Sequence, residues 1–256
     1  MPLFDKLGFR WDRSNVPVST PTSVAEILAS FRRRRAEVVY DASALEGNPL
    51  SFQEVAALLA GDPVSGHDPA DLRQVRNLAA AAQELAILVE AGRFRLNKTT
   101  SDRLHALIAR EEALEWGQFR GEGQYCDITP RVSLGVGTFI PSHPTEPGAA
   151  NLKHLFAAAV HALEAGIADP RERGMAYFLF GALQQFYFDG NKRTARFMMN
   201  GILMSNGIDV ISIPPARAAE FDAKMVPFYT GKDATEMMKF LIECQACLNL
   251  PQAKTP

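Results

Sequence analysis

The stretch Gln185-Phe-Tyr-Phe-Asp-Gly-Asn-Lys-Arg-Thr-Ala-Arg196 joins two segments whose apolar residues recur at helical spacing, residues 171–186 and 191–205. Its Asp-Gly-Asn sequence is typical of a turn, so we predict that the second helix begins near Asn191. The first backbone N–H groups of a helix have no partner within the helix and carry a partial positive charge. The stretch therefore predicts a helix–loop–helix unit whose second N-terminus is suited to bind an anion.

The side chains around this turn also favour an anion. Lys192, Arg193 and Arg196 lie in the first turns of the predicted helix, where each cation opposes the helix dipole by about a few tenths of a kcal/mol. Such a cluster indicates a bound anion, and a solvated basic turn is the alternative. Gly190 lets the backbone approach an anion closely. The carboxylate of Asp189 is a ligand of the type that Mg²⁺ prefers.

Most of the remaining chain has the pattern of α-helices. Ser23 with Glu26, and Ser51 with Glu54, are capping-box patterns that mark two helix N-termini. We expect the first of these helices to run to about residue 45 and to stop at Gly47. Residues 1–20 are expected to form an irregular arm. Further helical patterns occur at residues 69–91, from about 100, and at 149–165, 171–186, 191–205, 215–228 and 233–247.

Residues 117–147 differ from the rest because glycine and proline are frequent there. Within them Val132, Leu134 and Val136 alternate with small residues, which is the pattern of a short strand or hairpin. The predicted fold class is mainly α, a helical bundle with a small β-hairpin flap.

Composition limits the class of protein. The 256 residues are 47% hydrophobic and have a net charge of −2 at pH 7, which suits one folded core and predicts neither a nucleic-acid partner nor a membrane surface. Three cysteines are too few for a disulfide scaffold and favour a reducing compartment. The first residues lack the basic start and apolar core of a signal peptide. We therefore expect a cytoplasmic protein.

The stretch that ends at Arg196 resembles the Fic motif, His-x-Phe-x-(Asp/Glu)-Gly-Asn-(Gly/Lys)-Arg-x-x-Arg. It matches this motif from Asp189 to Arg196 without a gap. Tyr187 stands at the phenylalanine position, and Gln185 stands at the position of the catalytic histidine. The resemblance implies a Fic-type helical fold and a transferase that moves AMP from ATP to protein hydroxyls.

The resemblance also assigns roles to the matched residues. It assigns Mg²⁺ to Asp189. It assigns the phosphates of ATP to five residues: Gly190, Asn191, Lys192, Arg193 and Arg196. The glycine and asparagine would form the anion hole, and the two arginines would hold the outer phosphates. Lys192 occupies a position that is often glycine, and a lysine there resembles the Doc toxins, which have the same fold but act as kinases.

Three other segments support the resemblance. Gly117-Gln-Phe-Arg120 resembles the entry to the family's flap, where a protein target docks by strand addition. The pair Leu104-His105 is a weaker match. Ala42-Ser-Ala-Leu-Glu-Gly-Asn48 resembles the inhibitory helix, in which the glutamate, here Glu46, pairs with the second motif arginine and competes with the γ-phosphate. This inhibition could act within one chain or across a homodimer.

These matches divide the chain into three parts. The N-terminal part covers residues 1–98 and holds the arm and an inhibitory helix at about 32–47. The Fic core covers residues 99–212, with the flap at about 117–147 and the phosphate loop at 185–196. The C-terminal helices cover residues 213–256.

Gln185 changes the expected activity. In the family the histidine takes the proton of the target hydroxyl, and a glutamine amide does not titrate near neutral pH. A positioned base typically contributes about 10²- to 10⁴-fold in rate. We therefore expect Mg-ATP binding with AMP transfer that is weak or lost. The alternatives are a non-catalytic, nucleotide-gated module that binds a protein at the flap, a Doc-like phosphotransferase, and a scaffold without nucleotide binding. His143, after the predicted flap, is a possible substitute base, although an exposed loop position is favoured.

Overall fold

The computed structural model describes residues 3–135 and 137–248, and over these residues the chain is a helical bundle with one small hairpin. The predicted fold class is confirmed. The α-helices of the described residues are α1 (Leu3–Leu7), α2 (Val24–Arg33), α3 (Arg35–Ala44), α4 (Phe52–Ala60), α5 (Pro69–Glu90), α6 (Lys98–Ile108), α7 (Ala150–Gly166), α8 (Pro170–Gln184), α9 (Asn191–Ser205), α10 (Ala218–Gly231) and α11 (Thr235–Leu248).

Helices α2 and α4 begin at the two predicted capping boxes. The Ser23 hydroxyl accepts a hydrogen bond from the backbone N–H of Glu26, whose side chain accepts one from the Ser23 N–H. Ser51 and Glu54 form the same reciprocal pair at the start of α4. Because a cap satisfies N–H groups that have no partner within the helix, local sequence was sufficient to locate both N-termini.

Two local predictions are wrong. The helix that starts after Ser23 is interrupted at Arg34 (φ −96°, ψ 12°), so the helix predicted at about 32–47 is the shorter α3. The Arg34 side chain pairs with Asp209 at 2.5 Å, a tertiary contact that no local pattern records. The N-terminal arm is not wholly irregular either, since Leu3–Leu7 forms α1 and packs against α7. A helix this short depends on tertiary packing for its stability.

The rest of the arm is fixed to the N-terminal end of α8. The Trp11 indole donates to Glu172 at 2.9 Å, and Arg13 forms an ion pair with the same carboxylate at 2.8 Å. Farther along, the backbone and hydroxyl of Ser19 both donate to Asp169 at 2.7 Å. The arm therefore docks on the bundle rather than extending from it.

Helices α8 and α9 form the centre of the bundle. Every residue from Gly174 to Gln184 is buried. A Cβ atom at Gly181 would lie 2.8 Å from the Cβ of Ala195, so the two helices approach too closely for a larger residue there. This pair fixes the loop that joins α8 to α9 at one end of the bundle.

The predicted hairpin is confirmed. Strands β1 (Val132–Ser133) and β2 (Thr138–Phe139) pair antiparallel, with Val132 opposite Phe139. Val136, which was part of the predicted pattern, lies outside the described residues. The Phe139 ring packs 4.7 Å from the Tyr229 ring, and the Lys232 ammonium lies 4.2 Å from the Phe139 ring centre. The hairpin therefore rests on the C-terminal part of α10.

None of the helices among the described residues combines the length and the apolar character required to cross a lipid bilayer.

Candidate functional site

The loop between α8 and α9 has the predicted helix–loop–helix geometry. Helix α8 ends at Gln184 and is followed by Gln185, which adopts a left-handed backbone (φ 50°, ψ 62°). Gly190 is also left-handed (φ 71°), directly before α9 begins. The Asn191 side chain closes the loop, because its oxygen accepts from the Tyr187 N–H at 2.8 Å and its amide donates to the Tyr187 carbonyl at 2.7 Å. The predicted start of α9 at Asn191 is confirmed.

Gln185 is buried, with an exposure of 6%, and its side chain is hydrogen-bonded at both ends. Its amide donates to the Ala182 carbonyl at 2.6 Å, and its oxygen accepts from the Asn191 amide at 3.0 Å. Its backbone carbonyl accepts from the Arg120 Nε at 2.6 Å. Gln185 therefore fixes the loop through both its backbone and its side chain.

The two arginines of α9 are buried and paired with carboxylates. Arg193 Nη1 lies 2.5 Å from Glu112 Oε2, and its Nη2 lies 3.4 Å from Asp189 Oδ2. Arg196 Nη2 lies 3.2 Å from Glu46 Oε1. Within the described residues, Arg193 Nε and Arg196 Nη1 are buried and have no hydrogen-bond partner. Each guanidinium thus keeps an N–H group for a further acceptor.

Glu46 is held as a carboxylate by this cluster. Burial opposes its charged form, but the attraction of Arg196, and then of Lys192 and Arg193, outweighs burial and lowers the pKa of the Glu46 carboxyl group. Its side chain is 18% exposed and lies on the segment that follows α3. The structure thus brings Glu46 and Arg196 together, the contact that the sequence resemblance implied.

The carboxylate of Asp189 points outward from the loop. Its side chain is 60% exposed, and its Oδ1 accepts from the Gly190 N–H at 2.6 Å. The Asp189 backbone carbonyl accepts from His105 Nε2 at 2.9 Å, because the other ring nitrogen, Nδ1, already accepts from the Gly117 N–H at 3.0 Å. Burial lowers the pKa of His105 to about 3, so this imidazole stays neutral.

An open pocket of about 450 Å³ lies beside Glu46 and Lys192. Helix α10 and the β-hairpin form its other walls. The remaining lining residues are Leu45, Val132, Ser133, Leu134, Gly135, Asp222, Met225, Val226 and Tyr229. The pocket therefore combines charged groups at the start of α9 with an aromatic and aliphatic wall, an arrangement suited to a ligand with an anionic end and a flat apolar end.

Three residues near the loop have contacts that sequence patterns did not predict. Arg120 is fully buried and joins the loop to the segment after the hairpin, because it also donates to the His143 carbonyl at 2.7 Å. Burial lowers the pKa of Arg120 to about 10. His105 contacts Asp189, and Glu112 contacts Arg193, although both pairs are far apart in the sequence. The resemblance at Gly117–Arg120 included Arg120 but did not indicate its contacts with the loop. No sequence pattern indicated Glu112.

Curated proteins that resemble this chain share one name. No protein-family model matches the chain. The protein adenylyltransferase Fic of Culex quinquefasciatus is 24% identical over 245 residues, which cover 92% of this chain and 46% of that protein. The protein of the same name from Aedes aegypti is 22% identical over 242 residues, with the same coverage. The chain thus spans about half the length of the curated relatives it matches.

Solved structures show the same fold. Fic-1 from C. elegans superposes with a TM-score of 0.70 at 21% identity, over 96% of this chain and 68% of that one. A Fic domain containing signaling protein from Bacteroides thetaiotaomicron superposes with a TM-score of 0.69 at 19% identity, over 96% and 91% of the two chains. This shared fold shows that the chain has the helical fold of Fic domains, and the motif at 185–196 and the adenylyltransferase relatives agree with it.

Proposed function

We propose that this chain binds Mg-ATP with its phosphates at the N-terminus of α9 and its base in the pocket beside Tyr229. We further propose that its transfer of AMP to protein hydroxyls is weak or lost because Gln185 stands where a base is required. The curated relatives are named as adenylyltransferases, which supports ATP as the nucleotide.

The observation that carries this proposal is the ion pair between Glu46 and Arg196. A carboxylate and a phosphate compete for the same guanidinium N–H groups, so the position of Glu46 marks where a phosphate oxygen fits. Arg196 Nη1 and Arg193 Nε, both buried without a partner in the described structure, offer two further donors. Lys192 lines the adjacent pocket and adds a third positive charge.

The residues present also fit Mg²⁺ when a nucleotide is bound. Mg²⁺ usually takes one or two protein carboxylates together with water and substrate phosphates. Asp189 supplies an exposed carboxylate beside the phosphate loop. The described residues contain no cluster of three or more His, Cys, Asp or Glu suited to a metal. Mg²⁺ bound with the nucleotide would offset phosphate charge.

Gln185 limits the chemistry of transfer. In AMP transfer the target oxygen forms a bond to the α-phosphorus, the bond from that phosphorus to the bridging oxygen breaks, and pyrophosphate leaves. The hydroxyl proton must go to a base. The Gln185 amide cannot accept it at neutral pH, and both its ends are already hydrogen-bonded. The loop therefore orients phosphates without removing the proton.

A second candidate function is a nucleotide-gated module that binds a protein partner at the flap without catalysis. The internal hydrogen bonds of Gln185 favour it, because they give this residue a structural role that needs no substrate. In this function a partner strand would add to the hairpin edge, and the nucleotide would control the segment that carries Glu46.

The test combines binding with label transfer. Calorimetry with Mg-ATP should detect binding to Glu46→Gly and lose it in Glu46→Gly/Arg196→Ala, because the double variant lacks the proposed phosphate ligand. ATP labelled at the α-phosphate should then give slow transfer or none to proteins of a lysate. Label from the γ-phosphate alone would instead indicate a phosphotransferase. Absence of binding to Glu46→Gly at millimolar Mg-ATP would refute the proposed function.

A further inference from the structure

Glu112 forms the shortest ion pair of the phosphate loop, and it lies outside the motif. Its Oε2 is 2.5 Å from Arg193 Nη1, with side-chain exposures of 12% for Glu112 and 3% for Arg193. The two residues are 81 positions apart in the sequence. Each of the two α9 arginines therefore has a largely buried carboxylate partner, Glu46 for Arg196 and Glu112 for Arg193. Arg193 also pairs with the exposed Asp189.

The carboxylate of Glu112 is held in place from helix α5. Asn77 donates to its Oε1 at 3.0 Å, and Gln74 donates to its Oε2 at 3.3 Å. Asn77 is itself fixed by a second bond to the Arg110 carbonyl at 2.8 Å. Glu112 is thus part of a preformed polar network, not a side chain that meets Arg193 by chance.

The same network reaches the segment that carries Glu46. The Asn48 amide donates to Gln74 Oε1 at 3.0 Å and to the Asp71 carbonyl at 3.0 Å. Asn48 is two residues after Glu46 in the chain. Glu112 and the segment that carries Glu46 are therefore both hydrogen-bonded to the first half of α5.

The contact with Glu112 has two opposite effects on phosphate binding. It occupies Nη1 of Arg193 and leaves Nε buried without a partner among the described residues, so it orients the guanidinium with a donor available. It also places a negative charge against the cation that phosphate requires, at a buried site where water screens little. The charge effect opposes binding, whereas the orientation favours it.

We propose that Glu112 is a second acidic determinant of nucleotide affinity, which orients Arg193 and, by its charge, weakens the hold of Arg193 on phosphate. This inference rests on the proposed function of the loop. It differs from the Glu46 contact because Glu112 stays in place when nucleotide binds, held by Asn77 and Gln74, whereas Glu46 must give up Arg196.

The first test is calorimetry of Mg-ATP binding to the full chain in the Glu46→Gly background. Glu112→Gln removes the charge but keeps an oxygen that can accept from Arg193, so the Kd should fall about tenfold. Glu111→Gln is the matched control, since it removes the same charge one position away from a side chain that is 56% exposed. The control should change the Kd by less than about twofold.

A second pair of variants covers a failure of Glu112→Gln to fold, since its amide would face the Asn77 donor. Gln74→Lys places an ammonium beside Glu112, where it competes with Arg193 for the carboxylate. Gln74 is half-buried, and Gln83 on the same helix is exposed and serves as the site of the control, Gln83→Lys. Gln74→Lys should tighten Mg-ATP binding about fivefold or more relative to Gln83→Lys.

The outcomes separate this inference from the proposed function. If Glu46→Gly binds Mg-ATP but neither Glu112→Gln nor Gln74→Lys binds it more tightly than its control, Glu112 has no attenuating role and the inference is overturned. If Glu46→Gly and all derived variants fail to bind Mg-ATP, the proposed function fails as well. Tighter binding by the folded variants, with unchanged controls, supports the role of Glu112.

Discussion

Replacement of Gln185 by histidine is the change with the largest expected gain in activity. The histidine would stand at the end of α8, next to the phosphate loop, in a backbone conformation (φ 50°, ψ 62°) that is left-handed. We expect the gain only when the phosphate site is open, so the experiment uses the Glu46→Gly background. In this background Arg196 loses its Glu46 carboxylate partner, so the proposed phosphate would not have to displace it.

The structure sets the size of the effect on stability and on rate. The glutamine side chain makes two hydrogen bonds, to the Ala182 carbonyl and from Asn191. A net hydrogen bond contributes about 1 kcal/mol, so their loss costs about 2 kcal/mol of the free energy of unfolding. A positioned base accelerates proton removal by about 10²- to 10⁴-fold, which lowers the barrier by about 3–5 kcal/mol. Because a folded domain is typically stable by about 5–15 kcal/mol, a loss of about 2 kcal/mol should leave the variant folded, so the gain in rate should be observable.

The assay measures transfer of α-labelled AMP from ATP to protein, under single-turnover conditions with saturating Mg-ATP. Glu46→Gly/Gln185→His should transfer label about 10²-fold faster or more than Glu46→Gly. Glu46→Gly/Gln185→Ala is the matched control, because it removes the same two hydrogen bonds without adding a base. If the histidine and alanine variants bind Mg-ATP equally and transfer label at equal rates, the reasoning about Gln185 is refuted.

Three further predictions concern stability and the flap. Burial, together with repulsion by Glu37, raises the pKa of the Asp41 carboxyl group from 3.8 to about 7, although the Ser212 hydrogen bond and Arg196 oppose the shift. The folded chain therefore favours the protonated acid, and its free energy of unfolding falls as pH rises from about 4 to 7. In urea unfolding, the advantage of Asp41→Asn over wild type should therefore be larger at pH 8 than at pH 5, and an equal difference would contradict this origin. Phe139→Ala should speed proteolytic cleavage of the hairpin, because the ring contacts α10, whereas Ile140→Ala, at an exposed position, should not. His105→Ala should lower the free energy of unfolding by about 2–4 kcal/mol in thermal or chemical denaturation, because it leaves a cavity and buried backbone groups without partners. The exposed His161 serves as the control. If His105→Ala costs no more stability than His161→Ala, His105 does not stabilise the loop.

The sequence predicted those features that depend on neighbouring residues. The two serine–glutamate caps and the start of α9 at Asn191 follow from local hydrogen bonds, so sequence patterns located them. The same patterns missed the interruption at Arg34, whose side chain pairs with a residue 175 positions away. Tertiary packing decides such a feature, and a single sequence does not record it.

The candidate site divides in the same way. The motif resemblance led to Glu46 and Arg196, which the structure places 3.2 Å apart. It gave no indication of Glu112, because that residue has no motif position and reaches Arg193 only through the packing of α5 and α6 against α9.

Comparison of ATP with AMP tests the central claim most directly. Glu46 should compete with the outer phosphates and not with the base or the α-phosphate, because it contacts Arg196. By calorimetry with Mg²⁺, Glu46→Gly should bind ATP about tenfold more tightly than wild type or better, with AMP affinity changed by less than about twofold. Equal changes for ATP and AMP, or no ATP binding by either protein, would contradict the account.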